Sequence, residues 1–177
     1  MYITTSQAKW TISFFTVNFI NAKVQPSVLV VGGVQDRQRS AKAVTFDSVN
    51  SRWNEVCPML TKRNLFAAAT LNGKVIVTGG YSETDTTLQS AEEYDPITNK
   101  WTPLPDMHIA RAYHALVSIG SDVLALGGCD KNWQTLKSVE QYKAGQQQWD
   151  SVKELQVARS QPAACYFKVS CQISRLL

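Results

Sequence analysis

Trp53, Trp101 and Trp149 stand 48 residues apart, and other positions repeat in the same phase. Phe46, Tyr94 and Tyr142 recur at that interval, as do Arg63, Arg111 and Arg159. Gly-Gly pairs fall at Gly32-Gly33, Gly79-Gly80 and Gly127-Gly128, at intervals of 47 and 48 residues. A fixed period of this length means that one supersecondary unit is copied along the chain. The expectation is a function carried on a surface built from repeats, and not in a single catalytic pocket.

One unit, roughly Arg63 to Arg111, reads as strands and turns throughout. Ala67, Ala69 and Leu71 alternate with Phe66, Ala68 and Thr70, the two-residue period of a strand. Asn72-Gly73 suits a two-residue hairpin turn, because both central positions of a type I′ turn need positive φ. Val75-Ile76-Val77-Thr78 is a short β-branched run, as in a strand buried on both faces, and it stops at Gly79-Gly80. Tyr81 to Gln89 is a polar loop, Ala91 to Tyr94 a third strand and Asp95 to Lys100 a turn. Trp101 to Leu104 is a fourth strand, which Pro103 marks as an edge. Each unit is therefore a four-stranded antiparallel meander.

The third copy follows the same plan from Tyr113 to Val152. The first begins at its second strand, Val28 to Val31, with Thr11 to Ile20 as the available substitute for a first strand. A further first strand is expected after the third copy. There Ala163, Cys165 and Phe167 stand in the places of Ala115, Val117 and Ile119. Helical periodicity of useful length is absent between the units.

A repeat near 50 residues, with Gly-Gly ending its second strand and an aromatic residue and a Trp after it, resembles the kelch motif. The second copy carries the resemblance at Val77-Thr78-Gly79-Gly80-Tyr81, Glu92-Glu93-Tyr94-Asp95-Pro96 and Trp101 to Met107, followed by Arg111. The third carries it at Leu126-Gly127-Gly128, Val139-Glu140-Gln141-Tyr142, Trp149 and Arg159. The first carries it at Val31-Gly32-Gly33, Phe46-Asp47, Trp53, Met59 and Arg63, but has Val44 where the others have Glu92 and Glu140.

The resemblance implies an all-β fold, a partial β-propeller of about three four-stranded antiparallel blades. They fall at about 27–62, 63–110 and 111–158 within a kelch region of 27–170, with the extra first strand at 159–169. Residues 1–26 read as a non-kelch extension and 171–177 as a tail. Glycine lets the second strand approach its neighbours where a Cβ would clash, and Tyr and Trp fill the wedge between blades. A closed propeller usually has four to eight blades. The chain thus resembles half of a six-bladed domain, such as a truncated form of a longer protein would supply. Two apolar blade faces and two sheet edges are left open, which invites pairing. Closure of two copies into a six-bladed homodimer is the hypothesis that follows.

The net charge is +4, and the basic residues neither form runs nor interleave with aromatics, so nucleic-acid binding is not expected. Trp10 to Ile20 is too short an apolar run to span a bilayer, and Thr11, Ser13, Thr16 and Asn18 interrupt it, so no membrane is implied. Cys57, Cys129, Cys165 and Cys171 form no CxxC, and no Asn-x-Ser/Thr acceptor occurs. Both observations fit a cytoplasmic protein with reduced thiols. The Gly-Gly pairs lack the flanking pattern of phosphate loops. Copper radical oxidases of kelch-like fold need two His, two Tyr and a Cys within reach, whereas His108 and His114 are the only histidines and lie six residues apart, one in a loop and one on an expected first strand. No metal, no cofactor and no enzymatic activity are expected.

In kelch-like proteins the partner docks on one face of the ring, and the resemblance carries that face to particular loops here. Those between strands two and three are Gln35 to Lys42, Tyr81 to Gln89 and Cys129 to Thr135; the connectors between blades carry Arg63, Arg111 and Arg159. Tyr81 and Trp133 are the expected anchors, since binding residues concentrate on loops and exposed aromatics often anchor interfaces. Two roles stand open for the three arginines: contact with a partner, or bonding to backbone carbonyls and the blade's Glu. The loops hold Arg37, Arg39, Lys62, Arg63, Arg111, Lys131 and Arg159 against Asp36, Glu83, Asp85 and Asp130, which favours an acidic peptide. By resemblance the chain is a protein-interaction module like the substrate-recognition domain of BTB-kelch adaptors of cullin-RING ubiquitin ligases. The other readings are a cytoskeletal, actin-binding kelch protein and a fragment without independent function.

Overall fold

The computed structural model describes the backbone of Phe15–Val17 and residues 27–35 and 37–167. Expectations for the rest of 1–26, for Asp36 and for 168–177 lie outside the described residues. In the first blade, β1 (Phe15–Val17) and β2 (Ser27–Val31) precede a short hairpin, β3 (Val34–Gln35) and β4 (Gln38–Arg39), set in the expected loop. Then β5 (Ala43–Asp47) and β6 (Arg52–Val56) complete a sheet of order β1-β2-β5-β6. The second blade is β7 (Ala67–Leu71), β8 (Lys74–Thr78), β9 (Ala91–Asp95) and β10 (Lys100–Leu104), paired in sequence order. The third is β11 (Ala115–Ile119), β12 (Asp122–Leu126), β13 (Val139–Lys143) and a short β14 (Asp150–Ser151), also in order. All these pairings are antiparallel. Asn72 and Gly73 turn the β7–β8 hairpin with φ of 51° and 79°. No helix long and apolar enough to cross a membrane occurs among the described residues.

Strand alternation sends successive side chains to opposite faces, so a central blade feeds two cores. Ala68, Val75 and Val77 join Leu29, Val31, Met59 and Phe66 between blades one and two. Their neighbours Ala67, Leu71 and Ile76 join Leu116, Val123 and Ala125 between blades two and three. Trp101 and Trp149 seal these junctions, and each indole N–H donates 2.8 Å to a carbonyl of the preceding blade, at Cys57 and Pro105. Trp53 differs from the expected wedge: it is 51% exposed, and its ring lies tilted against Phe46 with centroids 5.1 Å apart.

The junctions turn on buried charge. Arg63 is 0% exposed. Its Nη1 donates to the carbonyls of Gly79 (2.8 Å) and Ser90 (3.1 Å), and its Nη2 to Ser90 Oγ (3.1 Å) and Glu92 Oε1 (2.6 Å). Glu92 in turn accepts the Leu60 and Thr61 amides at 2.7 and 3.1 Å. Arg111 repeats the arrangement on Gly127, Ser138 and Glu140, and Glu140 accepts the His108 and Ile109 amides. Burial lowers both guanidinium pKa values, and the partner carboxylates oppose it. Partner contact is thereby corrected for Arg63 and Arg111. Every polar group of either side chain except Nε is spent on its own blade, and neither reaches the surface.

The Gly-Gly pairs serve the same crossing. Gly79 and Gly80 hold φ of +64° and +91°, and the Gly80 amide donates to the Arg111 carbonyl at 2.9 Å. A Cβ on Gly79 would overlap that carbonyl, and one on Gly80 would overlap the Asn64 carbonyl. The glycines therefore admit the connector that carries the arginine into the next blade.

At Arg159 the main chain repeats this pattern: its carbonyl accepts the Gly128 amide at 2.8 Å and its amide donates to Leu136 at 3.1 Å. Its side chain is exposed and has no partner among the described residues. The strand expected over 159–169 does not form in its described part, where Ala163–Phe167 are exposed and unpaired. A first strand is held by the second strand beside it, and among the described residues none stands there.

His114 is buried between blades two and three. Its Nε2 lies 2.8 Å from Thr78 Oγ1, and its Nδ1 has no partner. Burial first, then the charges of Arg111 and Arg63, lower its pKa from 6.5 to about 3.

Two measurements follow. Arg111→Met and Glu140→Met should each cost about 3–5 kcal/mol in urea unfolding, because each leaves an uncompensated buried charge. The double variant should cost less than the sum, and strict additivity would refute the clamp. For His114 the folded pKa of about 3 lies below the unfolded 6.5, so between these values the unfolded chain binds the extra proton. Stability present above the unfolded pKa is therefore lost as pH falls through that window, with a slope of up to about 1.4 kcal/mol per pH unit. His114→Gln should flatten the pH dependence of the urea midpoint; an unchanged slope would show that other groups set it.

Candidate partner-binding face

Left-handed backbone recurs on the 48-residue phase of the sequence. Arg37, Asp85 and Trp133 hold φ of 67°, 59° and 60° in the loops between second and third strands. Leu65, Tyr113 and Gln161 hold φ of 54°, 56° and 55° in the connectors, two residues after each arginine. Bulky residues rarely adopt this conformation and need their surroundings to impose it. Here the connectors bond to one another: the Tyr113 amide donates to the Leu65 carbonyl at 3.0 Å, and the Gln161 amide to the Tyr113 carbonyl at 2.8 Å. In the third-blade loop Asp130 Oδ1 accepts the amides of Asn132 and Gln134, each at 2.8 Å, which fixes the turn that presents Trp133.

These loop tips and connectors surround one cleft of about 550 Å³. Tyr81, Tyr113 and Trp133 form its aromatic wall, with Leu65, Thr86 and Thr87 beside them and Arg39, Asp85 and Lys131 at the rim. The Tyr81 ring lies 5.6 Å from Trp133 and 6.2 Å, edge-on, from Tyr113; Tyr113 and Trp133 are 6.2 Å apart. Trp133 is 64% exposed, whereas Tyr81 is only 7% exposed. The Tyr81 hydroxyl is buried and has no hydrogen-bond partner among the described residues. Burial raises its pKa, and the nearby Thr87 side chain offsets part of the rise without reaching bonding geometry.

The charges are arranged differently from their sum in sequence. Arg39 is committed to Asp85, to Asn64 Oδ1 (2.8 Å) and to the Glu83 carbonyl, and Lys62 to Glu83 (2.8 Å). Arg63 and Arg111 are internal, and Asp130 is used within its own loop. Arg37, Lys131 and Arg159 remain exposed without an ionic partner among the described residues.

The structure thus brings Tyr81 and Trp133 together, leaves Arg159 exposed at the end of the face, and removes Arg63 and Arg111 from it. Sequence reasoning missed Leu65 and Tyr113. The period held them, since Leu65, Tyr113 and Gln161 share one phase. The cleft offers aromatic surface, the Tyr81 hydroxyl and, at its rim, Lys131 beside the Arg39–Asp85 ion pair, which suits binding an extended chain or a single inserted side chain. His108 Nε2 is held against the Trp149 carbonyl at 2.6 Å. No group of three or more His, Cys, Asp or Glu placed to hold a metal ion occurs among the described residues.

The family model for the kelch motif matches residues 62–108 and 110–156. Kelch-like protein 40 of Mus musculus is 39% identical over 67 residues, which cover 37% of this chain and 10% of that protein. Kelch-like protein 41b of Danio rerio is 36% identical over 64 residues, 36% of this chain and 11% of that protein. The chain therefore aligns with about a tenth of the length of these curated relatives. The solved structure of YjhT superposes with a TM-score of 0.68 over 76% of this chain and 50% of its own, at 14% identity, a likeness of fold alone.

Tyr81→Phe removes a buried hydroxyl that bonds to nothing, and should raise stability by on the order of 1 kcal/mol in thermal melts. A drop of similar size would mean that the hydroxyl is satisfied in the folded protein and is not held open for a ligand.

Proposed function

The chain belongs to the kelch-motif family, and on that premise we propose that it is a protein-interaction module whose loop face captures an acidic segment of a partner protein. The observation that carries this reading is the buried Tyr81 hydroxyl without a partner at the wall of an aromatic cleft. A buried polar group left unpaired is destabilising, so such a group at a cleft is suited to a ligand that supplies the missing acceptor. A partner carboxylate or carbonyl fills that role. Trp133 and Tyr113 supply apolar contact, Lys131 supplies attraction at the rim of the cleft, and Arg37 and Arg159 add positive charge on the loops and connectors outside it.

By similarity to the kelch-like proteins, we read the captured protein as one recruited for ubiquitylation in the cytoplasm. This reading assigns substrate contact to the chain, and not the link to a ligase.

The test is panning of a random peptide library on the purified chain, followed by calorimetry. Selected peptides should be rich in Asp and Glu and weaken as salt is raised. Trp133→Ala should cut their affinity about tenfold or more, with little change in stability because the side chain is largely exposed. Peptides of neutral composition, or affinities indifferent to Trp133, would overturn the reading. Cosedimentation with actin filaments that depends on Trp133 would replace it with a cytoskeletal one.

A further inference from the structure

The second-blade and third-blade loops end in the same turn. Ser82 donates its amide to the Thr86 carbonyl (2.9 Å), and its own carbonyl accepts the Asp85 amide (3.1 Å). Asp130, Gln134 and Trp133 repeat both bonds, each at 3.1 Å. Asp85 and Trp133 are the left-handed residues of the two turns. Each tip side chain lies against a residue of the blade before it, Trp133 on Tyr81 and Asp85 on Arg39. The third-blade turn forms with no ion pair at its tip, so the bond from Arg39 to Asp85 is not what folds the second-blade loop.

Arg39 is also placed independently of that bond. Its Nε donates to Asn64 Oδ1 at 2.8 Å and its Nη1 to the Glu83 carbonyl at 3.4 Å. Its side chain is only 18% exposed, whereas that of Asp85 is 83% exposed. Nη1 and Nη2 each keep a further N–H without a partner among the described residues. Both residues line the cleft with Tyr81. Burial raises the Tyr81 pKa and the Arg39 charge opposes the rise, so the guanidinium lies within electrostatic reach of the hydroxyl. A fixed cation at the cleft is thus covered by a carboxylate that water reaches freely.

We infer that Arg39 is the carboxylate-binding residue of the cleft, and that Asp85 occupies it in the free protein as an internal competitor which an acidic partner segment displaces. The inference rests on the proposed capture of an acidic segment, and it assigns a carboxylate of that segment to Arg39. Asp85 offers a single oxygen to a single nitrogen, Nη2. An incoming carboxylate can bridge two N–H groups of the guanidinium instead, the stronger and more directional arrangement. Competition of this kind lowers apparent affinity by the fraction of molecules in which the site is free. An exposed ion pair is weak, so the competitor tunes affinity and does not block the cleft.

The test uses the full chain. A random peptide library is panned on the unmodified protein and on Asp85→Asn, a substitution that keeps the turn because asparagine adopts left-handed backbone readily. Calorimetry then compares the two proteins on the Asp- and Glu-rich peptides selected. Asp85→Asn should bind them about two- to fivefold more tightly than the unmodified chain. Glu83→Gln removes the same charge from a carboxylate paired with Lys62, away from the cleft lining, and should leave the affinity nearly unchanged. Arg39→Met added to Asp85→Asn should abolish the gain, with circular dichroism as the check on folding; if that variant does not fold, the comparison with Glu83→Gln decides alone. Acidic peptides that bind Asp85→Asn no more tightly than the unmodified chain would overturn the inference and leave the proposed capture standing. An equal gain from Glu83→Gln, or a gain that survives Arg39→Met, would overturn it as an effect of net charge. Acidic peptides selected on neither protein would overturn the inference together with the capture on which it rests.

Discussion

A guanidinium sealed from water is tolerated only where oxygen atoms meet it on several sides. At Arg63 and Arg111 those atoms come from a Gly-Gly carbonyl, from serine and from glutamate of one blade. The arginine itself arrives on the connector from the blade before. The clamp therefore fixes where each connector crosses, and the crossing fixes the rest. It brings a connector carbonyl against each glycine of the pair, an approach that only residues without a Cβ can accept. It sets the angle at which the next sheet packs, so that the alternating faces of β7 and β8 close two separate cores.

The loop face is a by-product of that framework. Two residues past each of the three arginines the chain turns through a left-handed residue, and the three turns bond to one another across the blades. A rigid series of positions results, and the side chains on it vary freely: Leu65, Tyr113 and Gln161 in one set, Arg37, Asp85 and Trp133 in the other. Variation at fixed positions is how one scaffold comes to present different surfaces. In this chain the aromatic members, Tyr113 and Trp133, both belong to the third blade and lean over Tyr81 of the second.

The meander, the hairpin at Asn72-Gly73 and the role of Gly-Gly were legible because each rests on a local rule of backbone conformation. That Tyr81 and Trp133 lie in the loops between second and third strands was legible from the repeat; that they share one cleft with Tyr113 was not. The burial of Arg63 and Arg111 was not. An arginine in a connector reads as surface, since arginine is seldom fully buried. Its fate depends on a glutamate 29 residues onward, which it meets only in the folded blade. Trp53 shows the converse. It shares the phase of Trp101 and Trp149, but a wedge needs a neighbour on the other side, and no spacing within one repeat reveals whether that neighbour is there. The segment after Arg159 carries the pattern of a strand without the strand, because pattern supplies side chains and not a ladder partner.

The position of the clamp within the period bears on how such a chain gains or loses blades in evolution. Arginine and glutamate are 29 residues apart in a unit of 48. A duplication of one whole period, wherever it starts, restores that spacing at both joints, so every arginine still meets a glutamate 29 residues onward. An insertion or deletion of any other length between the two halves separates them and places an unmatched charge inside the fold. Blade number in a chain of this kind is therefore free to change, but only by whole periods.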